Sequence, residues 1–252
     1  MKLDVILRTH STGNVHQGER YVGTSKEEVM LRCVYSLVRS MNEADADIRV
    51  SVVDDRSTPD ALKKLRDILQ SSKHPTEIRQ CDAKIQNEST MAHFSVGLER
   101  GREIVYLVED DYLHAPSAIS EMLDAYTLFK KNLGRREVAL YPTDYLDRYN
   151  EMDLCRIVLG PKRHWRTITR TTNTCWLSHA LLRKRWSEFE ALAKGYGVVP
   201  GIGEDNTINK IWREDAVVFS PIPTLALHVQ FDVHKDPYVD WQSWWNSADY
   251  RE

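Results

Sequence analysis

Several features that would assign a chain to a special class of protein are scarce or absent in these 252 residues. No apolar run approaches the roughly 20 residues of a membrane-spanning helix. The opening segment, residues 1–10, is interrupted by Asp4 and Arg8 and does not have the pattern of a signal peptide. The four cysteines lie too far apart for a zinc site or a dense disulfide framework; they are Cys33, Cys81, Cys155 and Cys175. We therefore expect a cytoplasmic protein with free thiols and no transmembrane segment.

Two further absences narrow the possible functions. The formal net charge is −3, so no overall basic field favours nucleic acid or a membrane surface. No Gly-x-Gly-x-x-Gly follows the first apolar segment, which disfavours a Rossmann dehydrogenase. A nucleotidyltransferase would also show a glycine-rich phosphate loop there, and Gly13 and Gly18 make only a poor one. Apolar residues make up 42% of the chain and charged residues 28%, as in an ordinary globular domain.

The apolar pattern of the first half predicts alternating strands and helices. Short buried runs predict strands at Leu3 to Leu7, Ile48 to Val53, Thr76 to Cys81 and Ile104 to Val108. Helical spacing and capping residues predict helices at Ser25 to Met41, Pro59 to Leu69, Glu88 to Arg100 and Pro116 to Lys131. Such alternation indicates an α/β fold with a mostly parallel central sheet flanked by helices.

The second half is less regular. We predict strands at Val138 to Tyr141 and Val217 to Ser220, and mainly helix from Ser178 to Lys194. Residues 1–231 then form one catalytic domain, with residues 1–115 binding the donor and residues 116–231 forming a smaller acceptor side. Residues 232–252 contain three tryptophans without a clear period; they are Trp241, Trp244 and Trp245. We interpret this segment as a tail that covers the domain, or as a lid or interface.

Two acidic clusters follow predicted strands. Asp54 and Asp55 end the second strand, and Glu109, Asp110 and Asp111 end the fourth. Ligands of open parallel sheets bind beyond the carboxyl ends of the strands, and adjacent carboxylates repel unless a cation or a hydrogen-bonding ligand is near. Solvated acidic turns are common, and that alternative stays open for either cluster alone. The two clusters together favour a site for a divalent cation and a phosphorylated substrate.

These clusters carry a family resemblance. The segment Val52-Val53-Asp54-Asp55-Arg56-Ser57-Thr58 resembles the strand-end motif of GT-A fold glycosyltransferases, especially those of family 2. Val108-Glu109-Asp110-Asp111 is similar to the DxD element of that family, and Gly203-Glu204-Asp205-Asn206 to its Glu-Asp pair. The resemblance covers about Leu3 to His228. It departs from the family at Arg56, where glycine is frequent, and at Arg8-Thr9-His10, which replaces a Pro-Thr-Tyr-Asn pattern.

The resemblance implies a role for each cluster. Asp54 and Asp55 would hold the nucleoside, Glu109 or Asp110 would touch the ribose, and Asp111 would ligate Mn²⁺ or Mg²⁺. Asp205 would be the base of an inverting transfer, with Glu204 as the next candidate. For Asp205, a second interpretation is the N-cap of a helix over Asn206 to Arg213, which is compatible with catalysis.

Several other residues are candidates for the site, and each also has a structural interpretation. Arg8, Thr9 and Lys84 are expected on the donor side, although an exposed Lys or Arg is usually only solvated. His228 follows an apolar run and is a candidate third metal ligand or a hydrogen-bonded histidine at a strand end; His234 is a weaker candidate. Trp176 could stack on a sugar, although a core position is commoner. The basic stretch Lys162 to Arg166 with Arg170 could bind an acidic acceptor or DNA, with a solvated loop as the favoured interpretation.

The sequence thus predicts a metal-dependent glycosyltransferase that uses a nucleotide-diphosphate sugar, with UDP favoured. The acceptor is expected to be a saccharide hydroxyl, with a hydroxymethylated base in DNA as a minority alternative. A nucleotidyltransferase and a non-catalytic module that binds nucleotide or sugar remain as competing hypotheses.

Overall fold

The computed structural model describes residues 1–12, 22, 24–150 and 154–251. Its strands are β1 (Lys2–Thr9), β2 (Asp47–Asp55), β3 (Thr76–Cys81), β4 (Ile104–Glu109), β5 (Tyr112–His114), β6 (Glu137–Leu140), β7 (Ile157–Leu159), β8 (His164–Ile168), β9 (Cys175–Ser178), β10 (Ala216–Ile222) and β11 (Ala226–His228). Its helices are α1 (Lys26–Asn42), α2 (Pro59–Gln70), α3 (Gln86–Arg100), α4 (Ala118–Leu133), α5 (Asp147–Asn150), α6 (His179–Lys184), α7 (Trp186–Gly195), α8 (Ile208–Glu214) and α9 (Trp241–Ser247). Short 3-10 turns span Glu204–Asn206 and Asp232–His234. Every strand and helix predicted from the sequence is present, with ends shifted by a few residues.

Nine strands form one sheet in the order β3-β2-β1-β4-β9-β6-β10-β8-β7. Strands β9 and β8 run against the other seven, so the sheet is mostly parallel, as predicted. A second, two-stranded sheet pairs β5 with β11 in antiparallel fashion. The first four strands lie side by side because helical crossovers return the chain in the same direction each time.

The sheet is buried on both faces because its central strands are apolar on both sides. Helices α1, α2 and α4 pack on one face, against Leu3, Val5 and Leu7 of β1. Helices α3, α6, α7 and α8 pack on the other face, around Ile6 and Leu107. This alternation along β1 follows the two-residue period of a strand, and it leaves the carboxyl ends of the strands as the open edge.

Capping residues set where the helices near this edge begin. The Ser25 hydroxyl accepts a hydrogen bond from the backbone N–H of Glu28, at 3.2 Å, and Thr58 does the same for Ala61. Pro59 occupies the first turn of α2, where its missing N–H costs nothing. The Glu28 side chain does not bond back to Ser25 to complete a capping box; it binds Arg32.

The C-terminal segment packs on the outer side of α1. Trp241, Trp244 and Trp245 contact a small apolar cluster that includes Val29 and Cys33. The guanidinium of Arg32 donates to the Trp245 carbonyl oxygen at 2.7 Å and lies over its ring. The three tryptophans therefore attach the tail to the domain.

Among the described residues, no helix is both long enough and apolar enough to cross a membrane. All four cysteines are free. Gly13 and Gly18, considered above for a phosphate loop, lie outside the described residues.

Candidate active site

A cavity of about 520 Å³ opens at the carboxyl ends of β1, β2 and β4. Nine of the eleven predicted site residues line it, and they are Arg8, Thr9, Asp55, Lys84, Glu109, Asp110, Asp111, Glu204 and His228. Asp54 and Asp205 are not among the lining residues. The strand order explains most of this convergence, because β1 lies between β2 and β4 and brings their ends together.

The acidic triplet consists of Glu109, Asp110 and Asp111, and the first two of these carboxylates form ion pairs with basic side chains of the protein. Arg8 forms an ion pair with Glu109 across the neighbouring strands β1 and β4, and the Nζ atom of Lys26 forms one with Asp110. The backbone N–H of His10 also donates to Asp110, at 2.8 Å. Burial raises the pKa of Asp110, although Lys26 acts against that shift. These contacts hold Glu109 and Asp110 in place, and the two basic side chains offset part of the negative charge of the triplet.

Asp111 faces the imidazole of His228. Its Oδ2 atom lies 3.4 Å from Nε2 of His228, and both side chains are largely buried. The small sheet causes this approach, because His228 on β11 stands opposite Tyr112 on β5, immediately after the triplet. The backbone N–H of Val229 also donates to the Asp111 carbonyl oxygen at 2.7 Å. The two residues predicted as metal ligands are therefore neighbours.

The acidic pair of β2 divides between two environments. Asp54 is fully buried and accepts hydrogen bonds from the Thr9 hydroxyl at 2.8 Å and the Ser57 backbone N–H at 3.2 Å. Asp55 lines the cavity. Successive strand residues point to opposite sides, so only one of the pair reaches the cavity. Asp54, predicted to bind the nucleoside, does not line the cavity, and its carboxylate joins β1 to β2 inside the protein.

Arg56 has a left-handed backbone, with φ of 53°. This conformation is easiest for glycine, which explains why glycine is frequent there in the family that the motif resembles. Its Nε atom donates to Oδ1 of Asp55 at 2.8 Å, and its side chain is 46% exposed at the cavity. The departure from glycine therefore adds a guanidinium beside the carboxylate of Asp55.

Glu204 and Asp205 are adjacent in the sequence but differ in position. Glu204 lines the cavity, and burial, followed by the charges of Glu109 and Asp205, raises its pKa. Asp205 is exposed, and its Oδ1 atom accepts a hydrogen bond from Asn209 Nδ2 at 3.1 Å. Asp205 does not start α8 either, since the N-cap residue of that helix is Thr207. Glu204 therefore faces the cavity, whereas Asp205 does not line it.

Sequence reasoning missed Lys26, His10 and Tyr196, which also line the cavity. Lys26 carried a signal, because a cation in the first turn of a helix is disfavoured by the helix dipole unless a negative group lies near. His10 has its Nδ1 atom 2.5 Å from the Asp55 carbonyl oxygen. Tyr196 follows α7 and carried no comparable signal.

The basic stretch is a hairpin and not the solvated loop that was favoured. Trp165 is buried in β8, and Arg163 pairs with Glu121 at 2.7 Å. Arg166 is also buried, with its Nε atom 3.3 Å from Oδ1 of Asp144. These two arginines hold the hairpin to the domain, whereas Lys162, His164 and Arg170 are exposed. Trp176 is fully buried in β9, which confirms its core interpretation.

No protein-family model matches the sequence, and no curated protein matches it. Solved structures are similar in fold. TarS of S. aureus superposes with a TM-score of 0.51 at 14% identity, over 87% of this chain and 60% of that chain. Mannosyltransferase PcManGT from Pyrobaculum calidifontis, in complex with GDP-Man and Mn²⁺, gives 0.52 at 14% identity, over 96% and 59%.

The fold is that of the GT-A glycosyltransferases. The chain spans about 60% of the length of the two glycosyltransferase chains. UDP-glucose pyrophosphorylase from Acinetobacter baumanii also superposes, with a TM-score of 0.52 at 12% identity over 98% of this chain and 92% of that chain. These similarities confirm the predicted fold class. Sequence identities of 12–14% support a shared fold and no conclusion about function.

Proposed function

We propose that this protein is a metal-dependent glycosyltransferase that transfers a sugar from a nucleoside-diphosphate sugar to a saccharide hydroxyl. A UDP-sugar is the favoured donor. One observation carries the proposal: a single cavity at the carboxyl ends of the parallel strands holds both the Asp111–His228 pair and a half-buried carboxylate, Glu204. Such an edge is where α/β sheets bind nucleotides. The structures similar in fold support a nucleotide-sugar substrate, since one holds GDP-Man and Mn²⁺ and another is a UDP-glucose pyrophosphorylase.

The residues fit a divalent cation. Asp111 offers a carboxylate oxygen and His228 an imidazole nitrogen, a donor set that suits Mn²⁺. Among the described residues, no group of three or more His, Cys, Asp or Glu side chains could enclose an ion. Two protein ligands are nevertheless enough when substrate phosphates complete the coordination. A cation held there would supply the positive charge that a departing diphosphate needs.

Other cavity residues would orient the donor. Asp55 can accept hydrogen bonds from a nucleoside, and Arg56 holds that carboxylate in place. Lys84 is exposed at the cavity and can contact a phosphate, whereas Arg8 and Lys26 are occupied by the acidic triplet. In this proposal, the charge of the diphosphate would be neutralised near Asp111 and the nucleoside would be recognised near Asp55.

Glu204 would remove the proton from the acceptor hydroxyl. A general base works best when its pKa lies near the operating pH, and burial moves the pKa of Glu204 upward from its ordinary value. A single base and a direct displacement give a product of inverted anomeric configuration. NMR of the product's anomeric centre tests this part, because retained configuration would contradict it.

A nucleotidyltransferase is the second candidate, favoured by the similarity in fold and length to UDP-glucose pyrophosphorylase. In that reaction a sugar phosphate attacks a nucleoside triphosphate. The attacking phosphate oxygen is already anionic, so no base is required, and the position of Glu204 in the cavity would have no purpose. We therefore rank it below sugar transfer.

The decisive experiment is a screen of nucleotide-sugars with the purified chain. UDP-glucose, UDP-GlcNAc and GDP-mannose are incubated with and without Mn²⁺, and release of the nucleoside diphosphate is followed. Metal-dependent release supports a transferase. Formation of UTP from UDP-glucose and pyrophosphate would establish the second candidate instead. Binding of UDP without any turnover, with acceptor saccharides present, would indicate a non-catalytic module.

A further inference from the structure

The His228 ring is held on both faces by other rings. Tyr112 stacks on one face with a centroid separation of 4.6 Å and an angle of 11°. His234 stacks on the other face at 4.5 Å and 5°. The plane of the imidazole is therefore set by packing, and the remaining variable is which nitrogen carries a proton.

A buried cluster of hydroxyl groups controls which nitrogen of His228 carries the proton. Tyr145 Oη lies 2.7 Å from Nδ1 of His228 and 2.5 Å from the hydroxyl of Tyr141. Tyr112 Oη lies 3.1 Å from Tyr141 Oη and 2.8 Å from the Thr172 hydroxyl, which reaches the cavity. Each hydroxyl can both donate and accept a hydrogen bond. Tyr145 can therefore accept from Nδ1–H while it donates onward to Tyr141.

We propose that Tyr145 is a positioning residue that holds the Nδ1–H form of His228, so that Nε2 presents its lone pair to a divalent cation beside Asp111. This inference rests on the proposed function, since it assigns His228 to the cation. A ligating histidine usually needs a partner on its other nitrogen, and loss of that partner typically weakens metal affinity about 10- to 100-fold.

A tyrosine at position 145, unlike a carboxylate, adds no negative charge beside Asp111. A carboxylate in that position would add a second negative charge next to Asp111, and the site would then hold a cation tightly without the substrate. The hydroxyl is neutral, so the pair keeps the charge of one carboxylate. We therefore expect the cation to bind together with the diphosphate and weakly before it.

The test compares Tyr145→Phe with a matched control, Tyr106→Phe. The Tyr106 hydroxyl lies 2.8 Å from Nε2 of His114, so this variant also removes one buried tyrosine–histidine hydrogen bond, but away from the cavity. Calorimetric titration of Mn²⁺ in the presence of UDP should show affinity about 10- to 100-fold weaker for Tyr145→Phe. Tyr106→Phe should stay within about twofold of the unmodified protein, because its histidine is not a ligand.

A spectroscopic measurement on the unmodified protein removes any dependence on how the variants fold. With ¹⁵N-labelled histidine, Mg²⁺ and UDP, the His228 resonances should report a protonated Nδ1 and an unprotonated Nε2. A protonated Nε2 in that complex would overturn the inference, and so would undiminished Mn²⁺ affinity in Tyr145→Phe. If the unmodified protein binds no Mn²⁺ in the presence of UDP, the metal assignment of the proposed function fails as well, and the two failures are thereby told apart.

Discussion

The Nε2 atom of His228 lies 3.4 Å from Oδ2 of Asp111, although the two residues are far apart in the sequence. The antiparallel pairing of β5 with β11 produces this contact. A cation between a carboxylate and an imidazole would be held by one ligand from each half of the chain.

The first prediction concerns the cation. Asp111→Asn should abolish Mn²⁺-dependent strengthening of UDP binding, because a neutral amide does not compensate the charge of the ion. His228→Ala should weaken the same effect. Calorimetry of UDP with and without Mn²⁺ measures it. Asp124→Asn, an exposed position on α4, serves as the control and should bind as the unmodified protein does. Equal Mn²⁺ dependence in Asp111→Asn and the control would refute the assignment.

The second prediction concerns the backbone at Arg56. A non-glycine residue at a φ of 53° costs about 1–2 kcal/mol. Arg56→Gly relieves that cost but adds unfolded-state entropy worth roughly 0.5–1 kcal/mol. The free energy of unfolding should consequently change little, whereas Arg56→Val should lower it by about 1–3 kcal/mol. Urea unfolding of both variants measures this, and a stable Arg56→Val would show that the turn relaxes easily.

Arg56→Gly should also weaken donor binding. The variant loses the guanidinium that binds Oδ1 of Asp55, so the carboxylate becomes free to rotate. UDP affinity should fall while the fold is unchanged. An unaltered UDP affinity in Arg56→Gly would remove Arg56 from the donor site.

The third prediction is a pH dependence of stability from Asp144. Burial raises its pKa to about 6, against opposing effects of Tyr149 and Arg166. Between about pH 4 and pH 6 the folded state then holds a proton that the unfolded state has lost, so stability falls as pH rises through this range. A shift of about two units corresponds to about 3 kcal/mol at most.

Asp144→Asn should reduce that slope, because the amide does not titrate, and the raised pKa values of Asp110 and Glu204 account for the slope that remains. Urea unfolding at several pH values between about 4 and 7 measures it. Asp124→Asn should keep the slope of the unmodified protein, since its side chain is exposed. A slope that is unchanged in Asp144→Asn would mean that Arg166 keeps Asp144 ionised throughout.

Much of the fold could be predicted because the first half carries regular local signals. Apolar runs such as Ile104 to Val108 and capping residues such as Ser25 and Thr58 determine their elements over short stretches of chain. Strand β9 illustrates the limit, since it enters antiparallel between β4 and β6. That pairing depends on contacts between distant segments and has no local pattern. The hairpin of β7 and β8 was missed because its cations suggested solvent, although their partners are acidic side chains elsewhere in the chain.

The candidate site was predictable at the level of strand ends but not of single side chains. Alternation along β2 requires that Asp54 and Asp55 face opposite sides, yet the sequence does not say which one faces the cavity. The same holds for Glu204 and Asp205, which lie in a 3-10 turn where successive side chains point about 120° apart. Lys26 differs from these, because its position in the first turn of α1 was itself an indication of a negative partner.

The last prediction separates Glu204 from Asp205. Glu204→Gln keeps size and hydrogen bonding but cannot accept a proton, so turnover should fall by about 10²–10⁴-fold. Asp205→Asn should transfer sugar at close to the unmodified rate, because its side chain is exposed and bonded to Asn209. UDP affinity in the presence of Mn²⁺ should survive both changes, since the proposed site for the diphosphate lies near Asp111.

The pH profile gives an independent check on the same pair. Burial raises the pKa of Glu204, so the base is lost by protonation at a higher pH than an ordinary glutamate would be. Turnover of the unmodified protein and of Asp205→Asn should therefore decline as pH falls through this raised pKa. The residual turnover of Glu204→Gln should lack that decline, because no proton acceptor remains to be titrated. If Asp205→Asn instead loses both turnover and the acidic limb while Glu204→Gln keeps them, the base is Asp205, and the turn that carries both residues must reorganise when the acceptor binds.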